Sequence, residues 1–303
     1  MKKRDFNYES LYAEIARSIE DQARVRLMYE KPRKHVDEYL SGQVPALSSN
    51  ALELLGAYWM RKAIVTCPRE LEEARKALIQ AFCWRLCGLR NRWHGMEEAA
   101  RNGTWHGTVE ESYHVSMLLA LAIMCAKAGY AAEVINALVI GFALDVLGAT
   151  NSAPLGEFLI QSYVRWQGIE NSRTLGVTLE EHPYGALIAA LDKRDSGFMG
   201  DALYSACDFH VSRSKNSTSR TTYEFDDFSY RIYPAEIFGF LRVCQDLGFA
   251  FDRLKHPLLD TCLIELESPK EFEEDSLLTG TMQRLSPIAS CGQDGANRNE
   301  RGR

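Results

Sequence analysis

The chain has 303 residues, 46% hydrophobic and 25% charged, close to globular averages, which excludes wholesale disorder, collagen-like repeats and low-complexity architectures. At that length folding buries about three quarters of the unfolded chain's surface, so a large core needs no covalent staples. The net charge of −6 hides an asymmetry: residues 1–100 carry 17 basic and 14 acidic groups and residues 101–303 carry 18 and 27. An acidic carboxyl-terminal two thirds disfavours nucleic acid and suits a basic protein partner.

Lys2, Lys3 and Arg4 lead into Asp5, not into an apolar leader core, and the longest strongly apolar stretch, Met117 to Ala126, is too short for a bilayer. A soluble, unexported, cytoplasmic protein with no membrane partner is expected. Eight cysteines stand singly, with no Cys-x-x-Cys and no histidine at finger spacing, and read as reduced thiols.

Helical periodicity dominates, and no alternating run with hairpin turns interrupts it. The expected class is all-α: an irregular multi-helix bundle of two packed helical subdomains, 1–148 and 149–268, with an acidic segment and mobile tail over 269–303 and no significant sheet. Tyr8, Leu11, Tyr12, Ile15 and Ile19 mark a first helix that should stop near Pro32. Leu52, Leu55, Trp59 and Ala63 mark a second. Pro68 opens a third, striped by Leu71, Ala74, Leu78, Phe82 and Leu86. Asn91 to Gly107 reads as a loop. Thr108 and Glu111 read as a capping box for a helix from Val109 to Ala128, ended by Gly129. Ala131 to Leu147 is apolar nearly all round and should be the central helix. Beyond a seam at Gly148 to Pro154, helical patterns cover Leu155 to Trp166, Thr178 to Leu191, Phe198 to Ser212 and Pro234 to Leu247. The periodicity fades from Glu271, and Gly292 to Arg303 has no apolar anchor.

Chemistry-bearing motifs are sparse: phosphate loops, serine elbows and zinc-helix motifs are all missing. Ser212 and Lys215 spell Ser-x-x-Lys without its companion motifs. The best metal candidates are His94, His106, Glu110, Glu111 and His114, because Glu110 and His114 share a helix face, and a metal-dependent helical enzyme using His106, Glu110 and His114 is an alternative reading. Only one Glu-x-x-His copy is present, against the two of a diiron bundle, so no metal, cofactor or catalytic residue is assigned. Trp84, Arg85, Arg90, Arg92 and Trp93 have the composition of a nucleic-acid surface, a second alternative, although a solvated helix end explains them more simply. Tyr223, Glu224, Phe225, Asp226, Asp227 and Phe228, followed by Tyr230 and Tyr233, set three carboxylates among five rings, the mix that grips a basic partner. The simpler reading has the rings inward and the acids in water. Glu271, Glu273, Glu274 and Asp275 read as a solvated helix start.

His182-Pro183-Tyr184, a helix opening near Asp201, Tyr233-Pro234-Ala235-Glu236 leading into Gln245-Asp246-Leu247-Gly248-Phe249, and His256-Pro257 together resemble the PoNi family. These are immunity proteins that protect bacteria from their own PoNe-type DNase toxins and related polymorphic or type VI effectors. The similarity extends back through Asp145, Leu119, Leu118 and Tyr113 to Arg4-Asp5, about residues 4–262. The sequence departs from the family at Ile232-Tyr233, where Tyr-Trp is common, and at Leu258-Leu259, where paired tyrosines are usual. The resemblance implies a non-enzymatic protein whose partner is a cognate toxin, a basic nuclease domain bound directly without nucleic acid. Tyr223, Glu224, Asp226, Asp227 and Phe228 are the expected toxin contacts. His182, Pro183, Tyr184, Tyr233 and Glu236 are expected to be structural, with Glu236 holding neighbouring elements by hydrogen bonds. Monomer and homodimer both stay open.

Overall fold

A computed structural model describes residues 7–105, 107–148, 152–170, 174–218, 221, 223–249, 255–266 and 275–288. Of these residues, 71% are helical. Helix α1 (Tyr8–Glu20) starts at Asn7, whose side chain accepts the Ser10 amide, and ends well before Pro32, at Asp21. Asp21 is extended and its carboxylate caps α2 (Gln22–Val25). A π-helical turn, Arg26–Glu30, then leads into α3 (Lys31–Leu40), in which the Lys31 amide reaches back five residues to the Arg26 carbonyl. Pro32 is therefore carried inside a continuous helical run. The wider turn absorbs the clash its ring would make with the carbonyl four residues back.

Helix α4 (Ser49–Thr66), capped by Ser48, pairs with α5 (Leu71–Arg101) as the principal hairpin of the fold. Pro68 lies in the turn between them. The run from Asn91 to Arg101 is helix, not loop, because packing overrides its polar composition: Trp93 and Met96 are buried, Asn91 bonds the Leu47 carbonyl and Ser49 hydroxyl, and Arg92 pairs with Glu53.

The capping box at Thr108 does not form. Val109 bonds the Val146 carbonyl, and β1 (Glu110–Glu111) pairs in parallel with β2 (Leu147–Gly148), Glu110 opposite Leu147. This short pair is the only sheet among the described residues. Helix α6 (Ser112–Met124) starts after β1 and ends where Ala126 turns left-handed, three residues before Gly129. Its buried residues number 12 of 13, and it packs on α5, on α7 (Ala128–Ala143) and on α8 (Ala153–Gln167). The central helix is thus α6. Helix α7 leaves Ala132, Asn136 and Ile140 partly exposed.

Helices α9 (Pro183–Lys193), α10 (Ser196–Arg213), α11 (Phe228–Ile232) and α12 (Ala235–Asp246) follow, with α12 lying on α6 and α8. A 3₁₀ turn, Cys262–Glu265, precedes α13 (Ser276–Arg284), which begins where the acidic run ending in Asp275 reads as a helix start. Asp275 caps it and pairs with Arg33 at 2.8 Å. Buried side chains from Ile15 to Ile288 form one hydrophobic cluster, so the core is continuous across residues 148 and 149. Glu271, Glu273, Glu274 and the tail from Gly292 lie outside the described residues.

Candidate interaction site

The segment from Tyr223 to Phe228 crosses between α10 and α11 with its carboxylates turned toward arginines of the body. Glu224 is buried and paired with Arg213, whose guanidinium also stands over the Tyr223 ring at 4.8 Å. Asp227 has two tasks: Oδ1 accepts the Ser229 amide at 2.8 Å to cap α11, and Oδ2 accepts from Arg85 at 2.9 Å. Burial works against the Asp227 charge, yet the Arg85 guanidinium holds its carboxyl down at about 2. Asp226 is half-buried, and its carbonyl accepts from Arg231 at 2.8 Å. Phe225 is buried and stacks on His210 at 4.0 Å, while Phe228 stays half-buried beneath Arg231. Two of the three acids expected to face solvent or a partner are therefore neutralised internally, and the segment is pinned at both ends. The rings do turn inward, but the acids follow them, Glu224 onto Arg213 of α10 and Asp227 onto Arg85 of α5.

The motif residues meet. His182 caps α9, its ring accepting the Tyr184 amide at 3.3 Å, and Pro183 occupies the first helical position, where no amide is needed. Tyr184 is fully buried, stacks on Phe158 at 4.5 Å, and donates its hydroxyl to Glu236 Oε1 at 3.2 Å. His210 Nδ1 lies 2.7 Å from the same oxygen. One buried carboxylate at the first turn of α12 thus joins α9, α10 and α12. Burial, reinforced by the Glu236 charge, raises the Tyr184 hydroxyl far above the usual phenol range. Tyr233 is buried as well, but it packs edge-on against Phe238 at 5.2 Å and does not touch Glu236 through its hydroxyl.

The metal candidates separate. Glu110 and His114 are in contact at 3.1 Å, but Arg92 lies 2.5 Å from Glu110 and fills the place a cation would take. His94 turns away to the Ser286 carbonyl, at 3.0 Å, and His106 lies outside the described residues. Glu111 ends β1, its carboxylate lying against Gly148. Among the described residues no three His, Cys, Asp or Glu side chains converge. Ser212 donates to the Phe209 carbonyl and Lys215 stands over Tyr223, so the Ser-x-x-Lys pair does not assemble.

The supposed nucleic-acid patch is largely interior. Trp84, Arg85, Arg90 and Trp93 are buried in the middle of α5 and present no surface or solvated helix end, while Arg92 is partly exposed and paired with Glu53 and Glu110. Arg90 meets Glu133 of α7 in a two-pronged pair, 2.7 Å on each side, and also donates to the Leu285 carbonyl, while Glu133 accepts the Ile288 amide. Arg85 reaches its place only because residue 56 is glycine: a Cβ there would stand 2.5 Å from Arg85 Cγ. Sequence reasoning missed Glu133, His210 and Glu53. The available signal was a charged or titratable side chain in an apolar helical run, which Glu133 and His210 both are and which calls for a buried partner.

The seven described cysteines are free thiols, and six are buried. Among the described residues no helix is long and apolar enough to cross a membrane. No family model, curated protein or solved structure matches the chain.

Proposed function

We propose that this chain is an immunity protein that binds a secreted antibacterial toxin in the cytoplasm and neutralises it, the toxin being a nuclease effector of a type VI or related secretion system. The observation that carries the reading is the hub around Glu236. Tyr184 and Glu236 belong to two short PoNi-like motifs and lie 52 residues apart in sequence, yet they share one buried hydrogen bond. Short motifs that act as interior fasteners are what a family keeps when its scaffold is fixed and its outer surface follows a changing partner. The charge asymmetry supports the same reading. A DNase presents a basic face to phosphates, and an acidic ligand can occupy that face and gain association rate by steering.

The competing readings find less support. Four of the five side chains that suggested nucleic acid, all but Arg92, are interior, and Glu110, which suggested a metal ligand, is bonded to both His114 and Arg92. The test is co-expression with the effector encoded beside this gene, together with a DNA-cleavage assay on the purified pair. Restored survival and blocked cleavage are expected. No protection against that effector would sink the reading, and nucleic-acid turnover abolished by a point substitution in this chain would replace it with an enzyme.

A further inference from the structure

Five large apolar side chains stand out as exposed among the described residues: Leu27, Leu144, Ile169, Phe198 and Tyr204. Only the last two share an element, α10, where they are 39% and 42% exposed. The inner face of α10 is Met199, Ala202, Leu203, Ala206, Cys207 and His210, all buried. Its outer face carries Phe198, Asp201, Tyr204, Ser205 and Asp208, all exposed. Phe198, Asp201 and Tyr204 follow one another at three-residue spacing and Asp208 comes four later, so ring, carboxylate, ring and carboxylate alternate along about 15 Å of helix. From Ser196 to Ser212 the helix holds no lysine or arginine.

This strip differs from the Tyr223 to Phe228 segment in how its charge is used. Asp201 has no hydrogen-bonded or ionic partner among the described residues, and Asp208, whose side chain is 47% exposed, has His256 at 3.6 Å. Phe198 already takes a cation on its face, the Lys193 ammonium at 5.9 Å, and Tyr204 meets the His256 ring nearly perpendicular at 5.3 Å. Exposed rings with carboxylates between them match guanidinium and ammonium groups, which stack on the first and pair with the second.

We infer that the outer face of α10 is the docking surface for a basic protein partner, an Arg- or Lys-rich surface laid along the Phe198 to Asp208 strip. The inference rests on the proposed function for the partner's identity, but its chemistry can be tested without that partner. The probe is a fluorescent octa-arginine peptide, titrated by anisotropy against the full chain at low and at physiological ionic strength. Phe198→Ala/Tyr204→Ala, which leaves the net charge untouched, should weaken binding about five-fold. Asp201→Asn/Asp208→Asn should weaken it about ten-fold at low salt and flatten its salt dependence. The control Glu180→Gln/Glu181→Gln removes the same charge from exposed positions elsewhere and should change affinity less than two-fold. All these side chains are exposed, and unchanged melting curves would establish that the variants fold.

Binding that is absent in the wild type, or equal in the wild type and both α10 variants, overturns the docking surface. So does self-association of the wild type that the ring variant loses, since the face would then belong to a second copy. The co-expression assay reports the immunity reading separately. Protection that survives both α10 variants refutes this surface and leaves that reading standing.

Discussion

Asp227 and His114 are 113 residues apart in sequence but share a polar seam between α4, α5, α6 and α11, and they respond to pH in opposite senses. Asp227 is held at about 2, so its contribution to stability is complete above the ordinary value of 3.8 and is lost as pH falls through the lower one. Burial opposes the charged form of His114, but the hydrogen bond and charge of Glu110 outweigh it and raise the ring above 6.5, against the pull of Arg85 and with help from Glu53. The contribution of His114 is therefore full below 6.5 and fades as pH rises through the raised value. His114→Gln should abolish the fall in melting temperature that the wild type shows on the alkaline side of 6.5, and parallel melting curves for the two proteins across that range would refute the assignment. Asp227→Asn strips Arg85, only 7% exposed in its side chain, of its counter-ion and should cost about 3–5 kcal/mol. Urea titration would measure it, and a loss below 1 kcal/mol would mean that Glu53 replaces the lost partner. Glu236→Ala leaves Tyr184 and His210 buried without their acceptor, at about 1–3 kcal/mol for each orphaned group. Its thermal midpoint should drop sharply while octa-arginine binding at folded temperatures stays the same.

At the scale of elements, the periodic helices were readable and their ends were not. The apolar stripes of α4, of the first half of α5, and of α8, α10 and α12 coincide with the expected segments, because a 3.6-residue repeat survives whatever the helix packs against. The errors lie where tertiary contacts decide: α5 runs through Asn91 and β1 displaces a capping box, whereas α13 starts at the acidic run as expected, with Asp275 as its cap and Leu278 buried. The Glu236 hub was legible as a structural motif, whereas its partner His210 was not, since a single sequence cannot say which histidine faces which carboxylate. The same blindness made interior arginines resemble a nucleic-acid surface. The Arg90–Glu133 pair fastens α5 to α7 and to the segment before Ile288. Glu133→Gln should release residues 285–288 first, and limited proteolysis near Pro287 should become measurably faster than in the wild type at a temperature where both remain folded. Equal cleavage rates would show that the apolar contacts of Leu285 and Ile288 suffice.

For the whole molecule, the continuous core implies one cooperative unit. Helix α6 touches elements from both sides of residue 148, so its amides should exchange with solvent only when the entire chain opens. Hydrogen exchange should place Val115 to Ile123 in the slowest class, and a two-step denaturation curve separating the two halves would contradict it. The amino-acid pattern conveyed the all-helical class and the abundance of core but located the centre in the wrong helix. Ala131 to Leu147 has the more continuous apolar composition, yet α6 is the helix that other helices surround.

The π turn at Arg26–Glu30 has a rotational meaning. One surplus residue in a helical run advances everything after it by about 100° around the axis. In this register Val36 is fully buried and Arg33 reaches Asp275. Leu27, 55% exposed, contributes little packing of its own, and Leu27→Ala should be nearly silent. Deleting the same residue would restore ordinary α-helical spacing, swing Val36 out of the core, move Arg33 away from its carboxylate and bring the Pro32 ring against the carbonyl four positions back. The phase of α3 is thus set by a residue that matters for its place in the count and hardly at all for its side chain, and the gap in melting temperature between the substitution and the deletion would measure how strongly.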